Sequence, residues 1–267
     1  MYKSRTFTGV ESLPESNNAV NAVMHGADEL IELPASGRRF TATRRVSIDD
    51  ATSNGRMQHD AIARFLQDVG NDDTDDADMG AAGMAWVARR STVEVHTPAV
   101  CRELLTLTTW CSGTGRRWAE RRTSLHGNKG AHIEAAAVWI NLDPESGRPS
   151  PWGDSFSDAY LEATQGRQID AKLRHDKAVA TNDSTPWKFR QTDMDGFGHV
   201  NNAAYLAIAE EFFDLDGPRR VEIEWRQPSL ASEHLQVHAT TTDDHSQLWV
   251  VSQDGDLRVT ITAAPLA

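Results

Sequence analysis

Asp193-Met194-Asp195-Gly196-Phe197-Gly198-His199-Val200-Asn201-Asn202-Ala203-Ala204-Tyr205 is the stretch that decides how this chain is read. Trp187–Thr192 leads into it with strand character, and two glycines break the run. Asn202–Phe213 leaves it as a helix, with apolar residues at Ala204, Leu206, Ala209, Phe212 and Phe213. The stretch is thus the turn of a strand–turn–helix unit, and it carries two Asp, one His and two Asn. A helix N-terminus presents unpaired N–H groups and a partial positive charge. Such donors can hold a developing oxyanion. Asp195 precedes His199 by four residues, so both can reach one reacting carbonyl. A carboxylate and an imidazole together activate water or protonate a leaving group. The competing reading is structural: Asn201 or Asn202 caps the first turn, His199 is a hydrogen-bonded core residue, and Asp193 bonds its own turn.

Moving outward, the same order of elements occurs twice. Setting Gly55 against Gly198 aligns two helices at a constant separation of 143 residues, with Asp50 on Asp193, Phe65 on Ile208 and Gln67 on Glu210. The first copy has a strand at Phe40–Ile48 and a helix at Met57–Val69 ending before Gly70. Its further strands are Ala85–Val95, Glu103–Trp110, Arg117–Leu125 and His132–Leu142. The second has Trp187–Thr192, the helix, then strands at Arg220–Arg226, His234–Thr240, Gln247–Gln253 and Leu257–Ala263. Repetition of a supersecondary unit governs the fold. The expectation is an α+β fold with two long helices wrapped by an antiparallel β-sheet. Residues 1–36 read as a poorly ordered extension with an edge strand at Glu29–Leu33. Residues 37–143 form the first unit, 144–186 a linker with a short helix at Phe156–Thr164, and 187–267 the second unit. At the same separation, Thr52 replaces Asp195 and Arg56 replaces His199, so the first copy lacks the acid–base pair. A capping role would be needed equally in both copies, and the asymmetry favours chemistry in the second. His59 reads as structural or as lining a shared cavity.

Composition narrows the classes. The chain has 267 residues, 27 Lys+Arg against 39 Asp+Glu, a net charge of -12 and two Cys. At about 150 residues per domain the length fits one large domain or two ordinary ones. The acidic balance argues against nucleic-acid binding. No apolar run reaches the length of a membrane span, and no signal-peptide stretch follows Met1. Cys101 and Cys111 flank a strand, too far apart to bridge, which suits a reducing cytoplasm. Six Asp between Asp68 and Asp78 read as a solvated loop after a helix stop at Gly70. A calcium loop fails there, because Ala81 and Val87 fall where Gly and Glu are required. Arg pairs such as Arg38-Arg39, Arg44-Arg45 and Arg121-Arg122 read mostly as ordinary surface, with a patch for an acidic partner as the alternative. There is no nucleophile-elbow, phosphate-loop or zinc-helix motif, and no cofactor or metal is expected.

Asp193 to Tyr205 resembles the D-x-D-x-x-x-H-V-N-N-x-x-Y signature of hotdog-fold thioesterases. The first half is similar to acyl-acyl-carrier-protein thioesterases, the tandem-hotdog enzymes, through the helix ending near Asp68-Val69-Gly70 and the Thr108-Thr109-Trp110 and Val138-Trp139 strands. The resemblance spans about residues 38–265. It implies a tandem hotdog that hydrolyses fatty acyl thioesters of acyl carrier protein, with catalysis in the second unit and the acyl tunnel in the first. Phe65, Met84 and Trp86 set chain length there only if they face the tunnel. Coenzyme A is the alternative carrier, and a hydratase or a non-catalytic acyl-thioester-binding protein the alternative class. The resemblance places Asp195 as base or nucleophile, His199 as orienting group, and Asn201 beside them in the catalytic set. Gly198, Val200 and Asn202 are expected on the substrate, with backbone N–H groups of Gly198–Val200 as the oxyanion hole. The chain departs from the family at Phe197, where Asn is usual, and at Pro228-Ser229, where plant members have Glu-Cys. Asn201, Asn202 and Glu210 are candidates for the vacated roles. A monomer with pseudo-dimeric halves or a homodimer is expected.

Overall fold

The computed structural model describes residues 30–79, 85–196 and 198–266. Most of residues 1–36, Met84 and Phe197 therefore lie outside the described residues. Residues 30–33 form no strand, although the Ile31 carbonyl accepts from Arg122 at 3.1 Å.

Among the described residues ten strands form one sheet in which every strand–strand pairing is antiparallel. In the first half these are β1 (Phe40–Arg45), β2 (Ala85–Thr97), β3 (Leu104–Thr114), β4 (Trp118–Gly127) and β5 (His132–Leu142). In the second they are β6 (Thr185–Trp187), β7 (Arg219–Trp225), β8 (Leu235–Thr241), β9 (Ser246–Ser252) and β10 (Leu257–Pro265). The order is β1-β3-β4-β5-β2-β7-β10-β9-β8-β6. Read inward from either edge, the first, third, fourth, fifth and second strand of that half follow one another, and the halves meet where β2 pairs with β7. Alternation along the strands sends Leu105, Leu107, Leu125, Ile133 and Val93 to one face, where they bury with the first helix.

That helix, α1 (His59–Asp76), buries Ala61, Ile62, Phe65, Val69 and Asp73, a stripe at helical spacing. α2 (Asp154–Tyr160) is the short helix of the linker, followed by a 3-10 turn at Glu162–Thr164. α3 (Ala204–Phe212) has nine residues, half the eighteen of α1, so the second helix is not long. It is apolar on several sides because it packs on both its own sheet half and α1.

Two further expectations are corrected. α1 does not stop at Gly70, and the Asp-rich run up to Asp76 is its last two turns rather than a solvated loop, with Asp78 just beyond its end. Carboxylates at a helix C-terminus oppose the macrodipole. Here cations offset them: fully buried Asp73 takes Arg38 at 2.7 Å and Arg121 at 2.6 Å, Asp76 takes Arg38, and Asp72 takes Arg44. One member of each of these Arg pairs is thus turned to α1. Trp187–Thr192 is not one strand either: β6 ends at Trp187, and Gln191–Asp193 is a 3-10 turn.

The linker reaches β6 by crossing the sheet face opposite the helices. Trp118 donates to the Ile169 carbonyl at 2.9 Å, and Arg90 holds Asp170 at 3.1 Å. Glu224 accepts from the Arg174 N–H, and Trp249 donates to the Asp176 carbonyl at 3.0 Å. Cys101 and Cys111 are free thiols, and burial pushes Cys111 up to about 12.

Candidate active site

The second-half turn is built by its own hydrogen bonds. Asp195 N–H donates to the His199 carbonyl at 2.8 Å, Gly198 N–H to the Asp195 carbonyl at 3.1 Å, and Asn201 N–H to the Asp193 carbonyl at 2.8 Å. Met194 and Val200 bridge across it. Gly198 has φ +82, a left-handed value that L side chains rarely adopt. The first-half turn repeats this bond for bond, 143 residues earlier. Thr52 N–H donates to the Arg56 carbonyl at 2.7 Å, Gly55 N–H to the Thr52 carbonyl at 2.9 Å, and Gln58 N–H to the Asp50 carbonyl at 2.8 Å. Ala51 bridges Met57, and Gly55 has φ +87.

What the two turns carry differs. Glu210 of α3 reaches into the first turn. Its carboxylate takes the Arg56 guanidinium at 3.0 and 2.8 Å, the His59 N–H at 2.7 Å and His59 Nδ1 at 2.9 Å. Arg56 also holds Asp216 at 2.7 Å, and Asn54 donates to Asp216 at 3.0 Å. Burial alone would push Glu210 up; the contacts from His59 and Arg56 prevail and hold it far below the usual carboxylate range. The Glu210 oxygen on His59 N–H also satisfies a donor at the start of α1, whose N-cap Gln58 provides no side-chain cap. Glu210 therefore does not fill a role beside Asp195. His59 is structural, 1 % exposed, with its Nδ1 on Glu210.

In the second turn, Asp195, His199, Asn201 and Asn202 are all half-buried and lie within eight consecutive residues. The Asp195 carboxylate accepts the His199 N–H at 3.1 Å, so acid and imidazole are tied through one backbone bond. Asp193 is held by Arg190 N–H at 2.7 Å and its guanidinium at 2.7 Å, which keeps it in its own turn as the structural reading expected. Asn201 Oδ1 accepts Ala203 N–H at 2.9 Å and orders the approach to α3. Among the described residues neither His199 nor Asn202 makes a side-chain hydrogen bond.

The expected oxyanion donors need correction. Gly198 N–H is engaged with the Asp195 carbonyl, His199 N–H with the Asp195 carboxylate, and Val200 N–H with the Ser229 carbonyl at 3.4 Å. Among the described residues Asn202 N–H is unengaged, and it occupies the position of the His59 N–H that binds the Glu210 oxygen. Ser229 is fully buried against Tyr205, whose hydroxyl burial pushes up to about 12, so Ser229 belongs to the wall behind the turn.

Two of the chain-length candidates part company. Phe65 sits in the core between α1 and the sheet, whereas Trp86 packs with Met79, Cys111, Phe156 and Tyr160 under α2. Trp86 and Phe156 lie 5.2 Å apart. A cavity of about 360 Å³ between Thr114, Trp152, Leu161 and Gln168, and one of about 320 Å³ between His175, Arg220, Glu222 and His245, both lie away from Asp195 and His199. Sequence reading missed a cluster on β4 and β5. His126, His132 and Glu134 bring ligand atoms within 4.8 Å of one another. The two rings stack 4.8 Å apart, and Glu134 already accepts from Arg122 and Ser124. Period-two placement on paired strands was the available signal.

A half-buried carboxylate and imidazole thus stand on a turn before a helix, set on an antiparallel sheet. Comparison with known proteins gives the family. Residues 37–160 match the acyl-ACP thioesterase N-terminal domain, and residues 176–262 its C-terminal domain. The chain belongs to the acyl-ACP thioesterase family and is a thioester hydrolase. An uncharacterized protein of Mycobacterium tuberculosis is 27% identical over 229 residues, covering 84% of this chain and 92% of that protein. An acyl-ACP thioesterase of Bacteroides thetaiotaomicron has a similar fold, with TM-score 0.72 at 15% identity, covering 85% of this chain and 97% of that one. The 12:0-ACP thioesterase of Umbellularia californica does so with TM-score 0.68 at 16% identity, covering 85% and 96%.

Proposed function

We propose that the chain is a tandem hotdog of two units, residues 37–143 and 187–267, whose second turn hydrolyses fatty acyl-ACP to free fatty acid and the thiol carrier. The observation that carries this reading is the asymmetry of two turns with one backbone. In the first, the polar side chains are locked by Glu210 and Asp216. In the second, an acid–base pair stands half-buried with a helix approach behind it.

In the proposed mechanism Asp195 is the general base. It takes a proton from a water whose oxygen attacks the thioester carbonyl carbon. His199 orients the water or thioester. The Asn202 N–H faces the oxygen on which negative charge develops, as the first turn holds a carboxylate oxygen at the matching N–H. Collapse breaks the carbon–sulfur bond, and the departing thiolate takes up the proton that Asp195 holds, which restores the carboxylate. Asn201 acts through the backbone by ordering Ala203. A cytoplasmic place in fatty-acid synthesis, with one chain supplying both halves or with a homodimer, fits this chemistry.

Coenzyme A remains the second carrier to test, on one observation. Arg38, Arg44 and Arg121 are turned inward onto α1, so they do not gather into a basic patch for an acidic carrier protein. A panel of acyl-ACP and acyl-CoA substrates over several chain lengths, followed by thiol release, is the test. Turnover favouring acyl-ACP supports the reading, and turnover of acyl-CoA alone replaces the carrier. Tight binding with no release from any substrate would make the protein a sensor.

A further inference from the structure

The first turn shows what a side chain on the opposite helix does to this backbone. Glu210 is on α3, and its carboxylate spans the His59 N–H, the His59 ring and the Arg56 side chain at 2.7 to 3.0 Å. At the separation of 143 the three partners correspond to Asn202 N–H, the Asn202 side chain and His199, and Glu210 itself corresponds to Gln67 on α1. The face of α1 that bears Gln67 is turned to the second half. Ala63, one helical turn before Gln67, packs on the second-half core. Asp60, a further turn back, acts electrostatically on Arg190 beside the second turn. Gln67 is half-buried and, among the described residues, its amide makes no hydrogen bond.

We propose that Gln67 completes the second-half site from the other half of the chain, its amide N–H being a second donor, beside Asn202 N–H, to the thioester oxygen. This rests on the thioesterase reading of the Asp195–His199 turn. The amide suits the place because it donates without bringing charge. A carboxylate there would do what Glu210 does in the first turn, occupying the N–H and ion-pairing its neighbour. The site is then shared between halves: carboxylate and imidazole from the second, a donor from the first. Neither half is complete alone.

The experiment uses the full-length protein with Gln67→Ala, Gln67→Glu and Asp195→Asn variants, assayed on the acyl thioester that wild type turns over fastest. Gln67→Ala should lower kcat by roughly 10²-fold, the scale for one oxyanion donor, with little change in KM. Gln67→Glu should be at least as impaired. In its NMR spectrum the His199 ring should titrate at higher pH than in wild type, because a carboxylate beside an imidazole favours the charged ring. Asp195, Asp193 and Arg190 on the loop, and Asp60 and Arg64 on α1, are unchanged between these proteins and cancel from the comparison. Wild-type kcat in both Gln67 variants, with Asp195→Asn inactive, overturns the role of Gln67 and leaves the thioesterase reading standing. If wild type turns over no thioester, that reading falls. An unmoved His199 titration in Gln67→Glu then shows separately that residue 67 does not face the turn.

Discussion

The turn at residues 50–59 and the turn at residues 193–202 have the same backbone and opposite contents. Three hydrogen bonds, one bridge and one left-handed glycine recur at a constant spacing. One turn is closed by Glu210 of α3, which holds Arg56 and His59, and by Asp216 beyond the end of α3, which holds Arg56. The other keeps Asp195, His199 and Asn202 half-buried, with two of the three side chains uncommitted. A repeated scaffold thus carries two sets of side chains: the backbone makes the helix entrance, and the side chains decide whether that entrance is clamped or left open. Removing one partner of such a pair leaves an uncompensated, partly buried charge. The first turn is a clamp between the halves.

The largest expected effect tests the second turn. Asp195→Asn keeps an acceptor for the His199 N–H, so the turn should stay folded. Turnover should fall by at least roughly 10²-fold, while Thr52→Asn in the first turn leaves it unchanged; equal losses in both would erase the distinction. Next comes the clamp. Arg56→Ala leaves Glu210 partly buried without its bidentate partner, and Arg56 and Glu210 side chains are only 12% and 16% exposed. A loss of about 2–4 kcal/mol in urea unfolding is expected, with KM and kcat of the surviving folded protein near wild type. No loss of stability would show that the first turn is as open as the second.

Acid should loosen the same clamp. Glu210 has a folded-state value below its usual 4.5, so its contribution is fully present above that pH and declines as pH falls through and below it. Unfolding free energies of wild type and Glu210→Gln should differ most near neutrality and converge as pH drops from about 4.5 toward 2. A constant difference would show that the carboxylate's charge is not what holds the turn. The smallest effect concerns the glycines. Gly55→Ala and Gly198→Ala meet no neighbouring atom, so each should cost only about 1–2 kcal/mol for the left-handed backbone. Only Gly198→Ala should also lower kcat, since it shifts Asp195 and His199; equal kinetics in the two would detach the second turn from catalysis.

Much of the site was legible because turn chemistry is local. Asp195, Gly198 and His199 lie within five residues, and the glycine, the acid and the imidazole announce themselves without knowledge of what surrounds them. That the N–H groups of Gly198, His199 and Val200 are already engaged was not legible, for a physical reason. Which N–H groups are engaged depends on carbonyls and carboxylates brought in by the fold, such as the Ser229 carbonyl on Val200. Glu210, one of three candidates for the vacated roles, reaches the first turn instead, because a helix residue can face its own half or the other and spacing does not distinguish the two.

By itself the sequence determined the repeat, the strand–turn–helix order of each half, and the placing of Asp195 and His199 on one turn, because periodicity, glycine and turn residues act over a few positions. His132–Leu142 was placed to the residue for that reason. The tertiary structure alone decided that α1 runs through Gly70 to Asp76, because Arg38, Arg44 and Arg121 arrive from β1, β4 and the preceding chain to offset its carboxylates. It also decided that the α1 face bearing Asp60, Ala63 and Gln67 is turned to the second half. Those contacts join residues far apart in the chain, and no local pattern encodes which distant partner will neutralise a charge or share a helix face.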